Sequence, residues 1–152
     1  MPNKVNFFFE VVSIYKDKNI SLPKRYTLYS AGYDFESAIS IFIKPKDLVL
    51  IPTGIKAYFE SDKFLCIYPR SSLALKKSLI MPNSVGIIDS DYYNNLKNEG
   101  HIFVPLYNIS DKEVKIEKRE RIAQGILQKF YLTNNDFTQD KKTRQDGFGS
   151  TD

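Results

Sequence analysis

The stretch NSVGIIDSDYYNN, residues Asn83 to Asn95, joins a short apolar run to a group of carboxylates and aromatic rings. Its apolar part, VGII, is typical of a strand, and the glycine in it indicates that another group approaches the backbone closely. Because side chains alternate along a strand, we expect Asp89 and Asp91 to face the same side. A carboxylate in this position can act as a general base, bind a metal or form a turn, and the stretch alone leaves these interpretations open.

Outward from this stretch, the sequence pattern predicts an all-β domain. Other segments are short, rich in Phe, Tyr, Ile and Val, and bounded by Pro, Asn, Asp or Gly. They are KVNFFFEVVSI (4–14), FLCIYP (64–69), GHIFVPLYNI (100–109) and RIAQGILQKFYL (121–132). In the last segment Gln124 shares a face with apolar side chains, so we expect its amide to have a hydrogen-bond partner.

One segment departs from the β pattern. The residues SSLALKKSL (71–79) are mostly good helix formers behind a serine pair, which predicts a short helix capped by Ser71 or Ser72. The first turn of this helix, with Arg70 beside it, is a possible phosphate site because N–H groups at a helix start attract anions. Simple capping remains the alternative at this point.

Composition restricts the function classes. The chain has 152 residues, 42% hydrophobic and 26% charged, which fits one soluble domain. The lone Cys66 and the lone His101 cannot form an intramolecular disulfide or a zinc site, and we expect Cys66 to pack in a strand and His101 to be a surface or packing residue. The net charge of +4 is spread among mixed-sign runs, which does not favour nucleic-acid binding.

The N-terminus has neither a signal-peptide pattern nor a membrane span, so the expected location is the cytoplasm.

Five segments together carry a resemblance to the trimeric deoxyuridine triphosphatases, the dUTPases. In the family's order they are AGYDFESA (31–38), PRSSLALK (69–76), GIIDSDY (86–92), RIAQGIL (121–127) and RQDGFGST (144–151). The resemblance implies a jelly-roll-like β-barrel or sandwich with one short helix. It also implies a β domain over residues 1–143 and a flexible C-terminal lid over residues 144–152. The family is a homotrimer with shared active sites, in which the C-terminal tail is exchanged between subunits.

The activity implied is hydrolysis of dUTP to dUMP and pyrophosphate. Asp89 matches the family's catalytic aspartate, which activates a water for attack on the α-phosphorus. Tyr92 matches the tyrosine that packs under the deoxyribose and leaves no room for a 2′-hydroxyl. Asn83, with the backbone of Gly86 and Ile88, matches the hairpin that reads the uracil edge.

Phosphate contacts are implied at two further motifs. Arg70, Ser71 and Ser72 match the phosphate-binding motif of the family, which favours the phosphate interpretation of the helix start. Gln124 matches the amide at the α-phosphate, and Arg121 lies in the same motif with a structural role.

Magnesium is the implied cofactor. Asp34 matches the aspartate associated with Mg²⁺, through metal-bound water. This is in keeping with the preference of Mg²⁺ for phosphates and water over an all-protein cage. The ion would neutralise the triphosphate and align it for attack.

The C-terminal segment supplies the remaining implied contacts. Phe148 is expected to stack on the uracil, and Arg144 is assigned to the γ-phosphate. Gly149 lets the backbone come close, while Ser150 and Thr151 offer donors to the γ-phosphate. Such a segment acts as a lid that orders on the substrate and excludes water.

The sequence departs from the family pattern in three places. An inserted YNNLKN segment, Tyr93–Asn98, predicts a longer loop beside the pocket that is able to contact a protein partner. In the tail, the spacing from Arg144 to Phe148 is one residue shorter than usual, and Asp146 replaces a glycine, adding negative charge near a polyanion. Asp152 stands where a glycine is common.

Two alternative functions stay open at this point. A dCTP deaminase has a similar fold and an Arg-Ser-Ser motif, but the intact GIIDSDY motif favours the diphosphohydrolase. A non-catalytic binding or regulatory protein that keeps the fold and uses the inserted loop is the second alternative.

Overall fold

The chain folds almost entirely into short antiparallel strands, as the sequence predicts. The computed structural model describes residues 3–136, 141, 142, 144 and 146–149. Its strands, β1 to β11 in chain order, are Phe7–Val11, Tyr33–Glu36, Ile41–Ile43, Leu48–Pro52, Ile55–Phe59, Lys63–Pro69, Leu79–Ile80, Gly86–Asp89, Phe103–Asn108, Val114–Ile116 and Arg121–Lys129. The helix α1 is Ser71–Lys77, and 3₁₀ turns are formed by Ser13–Tyr15 and Ser90–Tyr92.

The strands form one four-stranded sheet, one three-stranded sheet and two strand pairs. The four-stranded sheet has the order β2-β11-β6-β8, and the three-stranded sheet has the order β4-β9-β7. β1 pairs with β5 and β3 pairs with β10, and every one of these pairings is antiparallel. Neighbours in a sheet are often distant in the chain, as expected of a jelly-roll-like fold. The predicted fold class is confirmed.

Residues from all four groups of strands share one hydrophobic core. Phe35 of β2, Ile43 of β3, Ile51 of β4 and Ile55 of β5 are fully buried in it. A Cβ at Gly125 of β11 would lie 2.8 Å from Cε2 of Phe35, so the glycine leaves room for this ring. The core joins the sheets and fixes the position of β8, which carries the predicted catalytic segment.

The start of α1 differs from the prediction. The N-cap residue is Arg70, in an extended conformation, and its carbonyl accepts a hydrogen bond from the backbone N–H of Leu73 at 3.0 Å. The predicted cap, Ser71 or Ser72, is therefore wrong: both serines lie inside the first turn. Pro69 ends β6 immediately before the cap, so the turn into the helix comes one residue earlier than the serine pair indicates.

The helices of the described residues are too short or too polar to cross a membrane. Cys66, in β6, is buried and unpaired, which confirms its predicted packing role.

Candidate active site

A pocket of about 280 Å³ lies beside β8. The predicted segment contributes Asn83, Gly86, Ile87, Ile88, Asp89 and Tyr92 to its lining. Other parts of the chain contribute Ile67, Met81, Phe103, Pro105, Arg144, Gly147, Phe148 and Gly149. The structure thus brings most of the sequence-predicted base-binding residues into one concave site.

Strand pairing positions the predicted catalytic segment. β8 is hydrogen-bonded to β6, with Gly86 opposite Ile67 and Asp89 opposite Phe64. A Cβ at Gly86 would lie 3.3 Å from Cβ of Ile67, a tight contact, so the glycine lets the pocket floor come close to β6. Asp89 is the last residue of β8, and its carboxylate is half exposed at the pocket edge.

The carboxylates of Asp89 and Asp91 contact the same arginine, but strand alternation is not the reason. The strand ends at Asp89, and Ser90–Tyr92 forms a 3₁₀ turn, which corrects the prediction that the alternation continues. Nη2 of Arg144 lies 2.5 Å from Oδ2 of Asp89, and its Nε lies 2.9 Å from Oδ1 of Asp91. One guanidinium therefore bridges both carboxylates, a geometry that the fork of an arginine side chain allows.

This contact differs from the expected role of Arg144. The resemblance assigns Arg144 to the γ-phosphate, whereas here its guanidinium binds the predicted catalytic carboxylate. Arginine donors pair with nearby anionic oxygens, and both carboxylates lie within hydrogen-bond distance of this guanidinium.

Tyr92 is a rigid wall of the pocket. Its side chain is buried, its hydroxyl donates to the carbonyl of His101 at 2.6 Å and accepts from Nδ2 of Asn98 at 2.9 Å. Burial is the main cause of the raised pKa of Tyr92, so the phenol stays neutral. The ring can serve as the predicted platform because both polar contacts hold it in one orientation.

His101 is a packing residue, which is one of the two roles, surface or packing, expected from the sequence. Its Nε2 accepts a hydrogen bond from the backbone N–H of Gly54 at 2.8 Å, and its ring packs against Tyr15 and Phe103. Burial lowers the pKa of His101 to about 4. The imidazole is therefore neutral near pH 7 and lies behind the pocket wall.

A second cluster gathers the predicted phosphate and metal residues. Oδ2 of Asp34 lies 3.1 Å from Nη1 of Arg121 and 3.4 Å from Nε of Arg70. Gln124 lies opposite Asp34 in the β2–β11 pairing, and its Nε2 is 3.5 Å from the carbonyl of Pro69. That contact is long, so within the chain the Gln124 amide forms only a weak hydrogen bond with its expected partner.

A basic cleft of about 360 Å³ opens at this cluster. It is lined by Arg70, Ser72, Leu73, Lys76, Lys77, Arg119, Glu120 and Arg121. Ser71 is exposed at the helix start beside it. Five cations against one carboxylate make the cleft suitable for an anion.

The two clusters lie at opposite ends of β6. Phe64, opposite Asp89, is near the start of the strand, and Pro69, next to Arg70, is its end. Five residue steps of extended chain cover roughly 17 Å. Asp89 and Arg70 of one chain are therefore too far apart to contact the same phosphate group.

The described residues contain no group of three or more His, Cys, Asp or Glu side chains that could hold a metal ion. Asp34 is the predicted metal-associated residue, and both arginines contact the same oxygen, Oδ2. The arrangement fits an aspartate that contacts a metal-bound water and does not fit a direct protein cage.

Part of the predicted lid lies over the pocket of its own chain. Arg144 and Gly147–Gly149 line the pocket, and the Phe148 ring is 6.5 Å from the Phe103 ring. Ser150 and Thr151 lie outside the described residues, as does Asp152. Exchange of the tail between subunits stays a prediction.

The inserted loop Tyr93–Asn98 lies beside the pocket, as predicted, and it contacts the rest of the same chain. Nζ of Lys97 is 3.3 Å from Oδ2 of Asp146, and Asn98 donates to the Tyr92 hydroxyl. Tyr93 donates through its hydroxyl to Glu10, and burial is the main cause that raises its pKa to about 12. A protein partner at this loop has no support in these contacts.

Sequence reasoning missed several pocket residues. Met81, Phe103 and Pro105 reach the site from other strands and loops, and Ile67 reaches it because β6 pairs with β8. These side chains are ordinary core types, so composition and motif spacing contain no signal for them. Asp91 lies within a recognised motif, yet its contact with Arg144 depends on where the tail lies.

Comparisons with known proteins agree with this geometry. The family model described as dUTPase matches residues 18–152. The deoxyuridine 5′-triphosphate nucleotidohydrolase of Lactococcus lactis subsp. lactis is 50% identical over 143 residues, which cover 94% of this chain and 95% of that protein. The corresponding protein of Finegoldia magna is 38% identical over 147 residues, 92% of this chain and 97% of its own length.

A solved structure has the same fold. The crystal structure of dUTPase from Streptococcus mutans is 45% identical, with a TM-score of 0.81, and the match covers 84% of this chain and 99% of that chain.

Proposed function

Since the chain belongs to the dUTPase family, we propose that it hydrolyses dUTP to dUMP and pyrophosphate. The observation that carries this proposal is the pocket in which Asn83, Gly86 and Tyr92 lie together, with Asp89 at its edge and Phe148 over it. A cytoplasmic location fits this activity and a chain whose lone cysteine is buried and unpaired.

The pocket is suited to a nucleobase and its sugar. Backbone groups of Gly86 and Ile88 and the amide of Asn83 offer a fixed pattern of donors and acceptors to the uracil edge. A base with another pattern leaves buried polar groups unpaired, which is a strong form of discrimination. The Tyr92 ring, fixed by two hydrogen bonds, packs under the deoxyribose and leaves no room for a 2′-hydroxyl.

Asp89 is the proposed general base. Its carboxylate accepts a proton from a water and orients that water for in-line attack on the α-phosphorus. In the free protein Arg144 holds this carboxylate in place at 2.5 Å. When a triphosphate enters, its oxygens compete for the same guanidinium, which frees Asp89 and moves Arg144 toward the γ-phosphate.

Phosphate contacts are proposed to come from a second subunit of a homotrimer. Arg70 and Gln124 lie toward the other end of β6 from Asp89, roughly 17 Å and 13 Å away along an extended strand. A site shared between chains brings this cluster, with Ser71 and Ser72, to the triphosphate held at Asp89. The tail then covers a pocket of the assembly, and residues 144–152 form the proposed lid.

Mg²⁺ is proposed to arrive with the substrate. The bound ion neutralises phosphate charge and aligns the triphosphate for attack. Asp34 would contact it through metal-bound water, because this carboxylate is already paired with Arg70 and Arg121. A phosphate-held ion explains how the site can work without a cluster of protein ligands among the described residues.

Pyrophosphate release from dUTP, UTP, dCTP and dTTP with Mg²⁺ tests the proposal. We expect release from dUTP and little from the other three nucleotides. Ammonia from dCTP with no pyrophosphate from dUTP would identify a deaminase instead. Absence of any turnover in folded protein would favour a binding protein.

Asp89→Asn is the matched control for this assay. The amide keeps the size of the side chain but cannot take the proton, so turnover should fall by about 10²- to 10⁴-fold while dUTP binding persists. Calorimetric titration with dUTP measures the binding separately. Unchanged turnover would remove Asp89 from the proposed role.

A further inference from the structure

Two charged residues without a role in the proposed reaction meet at the edge of the pocket. The loop Tyr93–Asn98 contributes Lys97, and the tail contributes Asp146, with Nζ and Oδ2 3.3 Å apart. The lysine side chain is 64% exposed and the aspartate side chain 29% exposed. The two residues are 49 positions apart in the chain, so this contact exists only when the tail lies on the pocket.

The loop that presents Lys97 is held from both sides. Oδ1 of Asn95, a buried residue, accepts from the backbone N–H groups of Lys97 and Asn98 at 3.1 and 3.2 Å. Nδ2 of Asn95 donates to the carbonyl of Tyr92 at 2.8 Å. Further along, Glu99 forms a 2.8 Å ion pair with Lys56 of β5. The backbone of Lys97 is therefore fixed relative to the Tyr92 wall of the pocket.

The tail is shaped to bring Asp146 to this loop. Oδ1 of Asp146 accepts from the backbone N–H of Gly147 at 2.8 Å, which leaves Oδ2 directed to Lys97. A Cβ at Gly147 would lie 2.9 Å from Cε2 of Tyr92, so only a glycine lets the backbone lie on this ring. The ion pair thus falls between the Arg144 contact with the carboxylates and the Phe148 ring.

We propose that Lys97 and Asp146 form a latch that holds the C-terminal tail over the pocket. Lys97 is a positioning residue: it acts on the substrate only through the placement of Arg144 and Phe148. A carboxylate in the tail weakens binding of a polyanion unless a cation neutralises it, and Lys97 supplies that cation. The existence of this tail contact does not depend on the proposed function, whereas its effect on turnover rests on the proposed function.

Charge variants test the latch. Lys97→Glu places like charges at the contact, and Asp146→Asn removes one charge while keeping an oxygen for the Gly147 N–H. The double variant Lys97→Glu with Asp146→Lys restores an opposite-charge pair in reverse. Lys112→Glu, at an exposed residue of another loop, is the control for net charge.

The first readout is chymotrypsin cleavage after Phe148, followed by mass spectrometry, without nucleotide. The cleavage rate is proportional to the fraction of molecules whose tail is released, provided that release and rebinding of the tail are fast compared with cleavage. An exposed ion pair predicts about 1.4- to 5-fold faster cleavage in the single variants. We expect the double variant to be cleaved more slowly than Lys97→Glu, and Lys112→Glu to be cleaved like the wild type. The differences should be lost in 1 M salt because exposed charges are screened there.

The second readout is the KM for dUTP. We expect it to rise in Lys97→Glu and to recover in the double variant, with kcat nearly constant. Asp146→Asn is assessed by cleavage alone, because loss of its negative charge also favours binding of the polyanion. Single variants that match Lys112→Glu in cleavage, or a double variant cleaved as fast as the single ones, would overturn the latch. If the wild type released no pyrophosphate but the cleavage pattern held, the proposed function would fail and the latch would stand.

Discussion

His101 shows how burial can keep a histidine neutral, although histidine is often a catalytic residue. Its Nε2 can accept from the Gly54 N–H only while it carries no proton, and burial lowers its pKa to about 4. When the pKa of a base is lower in the folded state than in the unfolded state, there is a pH range in which only the unfolded chain binds the proton. In that range proton binding stabilises the unfolded chain and lowers the stability of the fold. For His101 this window lies between pH 6.5 and pH 4.

We therefore predict that His101 contributes a pH-dependent part of the stability. The contribution is complete above pH 6.5 and is lost as the pH falls toward 4, for a total of about 3 kcal/mol. Urea denaturation of the wild type and of His101→Gln at a fixed protein concentration measures it. The glutamine keeps an acceptor and does not titrate, so the free energy of unfolding should fall less steeply with acid. Parallel curves would contradict the prediction.

At the scale of elements, the loop after the Ser90–Tyr92 turn is joined to the β1–β5 pair by an ion pair between a buried lysine and a partly exposed glutamate. Lys56 of β5 is nearly buried and binds Glu99 at 2.8 Å and Oδ1 of Asn94 at 2.6 Å. Glu99 also accepts from the backbone and hydroxyl of Ser13. The hydrogen bond from Lys56 is the main cause that lowers the pKa of Glu99 to about 2. This network holds the loop that carries Lys97 and Asn98.

Removing one partner of this network should cost more than removing both. Lys56→Met leaves Glu99 without its cation, and we expect a loss of about 1–3 kcal/mol in the free energy of unfolding, less than for a fully buried pair because Glu99 is partly exposed. The double variant Lys56→Met with Glu99→Leu should recover part of this loss. Chemical denaturation of the wild type, Lys56→Met, Glu99→Leu and the double variant gives the coupling energy, and additive effects would argue against the network.

At the scale of the whole molecule, the fold separates the proposed base from the proposed phosphate contacts. Asp89 and Arg70 are attached to opposite ends of β6, because β8 pairs with the start of that strand and α1 follows its end. A strand does not bend back on itself over so few residues, so one chain cannot close this distance. We therefore predict that assembly of subunits brings both groups to one substrate.

Subunit mixing tests this directly. Asp89→Asn and Arg70→Ala should each be nearly inactive as homotrimers. Co-assembled in equal amounts, they should regain about a quarter of the wild-type turnover, since some sites then take Asp89 from one variant and Arg70 from the other. If each site were built from one chain, no mixture would contain an intact site, and activity would stay at the level of the single variants.

Local features followed from the sequence because they depend on neighbouring residues. The spacing of apolar residues and the turn residues indicated the β-rich pattern, the helix after Pro69 and the apolar strand that leads to Asp89. Recognition of five motifs also indicated the family and most of the pocket residues. The helix cap and the 3₁₀ turn at Ser90 were predicted wrongly, since both depend on how β6 and β8 end against the rest of the sheet.

The tertiary structure alone decided which distant side chains meet. Met81 and Phe103 became pocket walls, Asp34 was paired with two arginines, and Lys97 was placed against Asp146. These contacts arise from antiparallel pairing and core packing between segments far apart in the chain. The sequence determined the kinds of groups available to the site, and the fold determined their partners, because distance in space is not encoded in any local pattern.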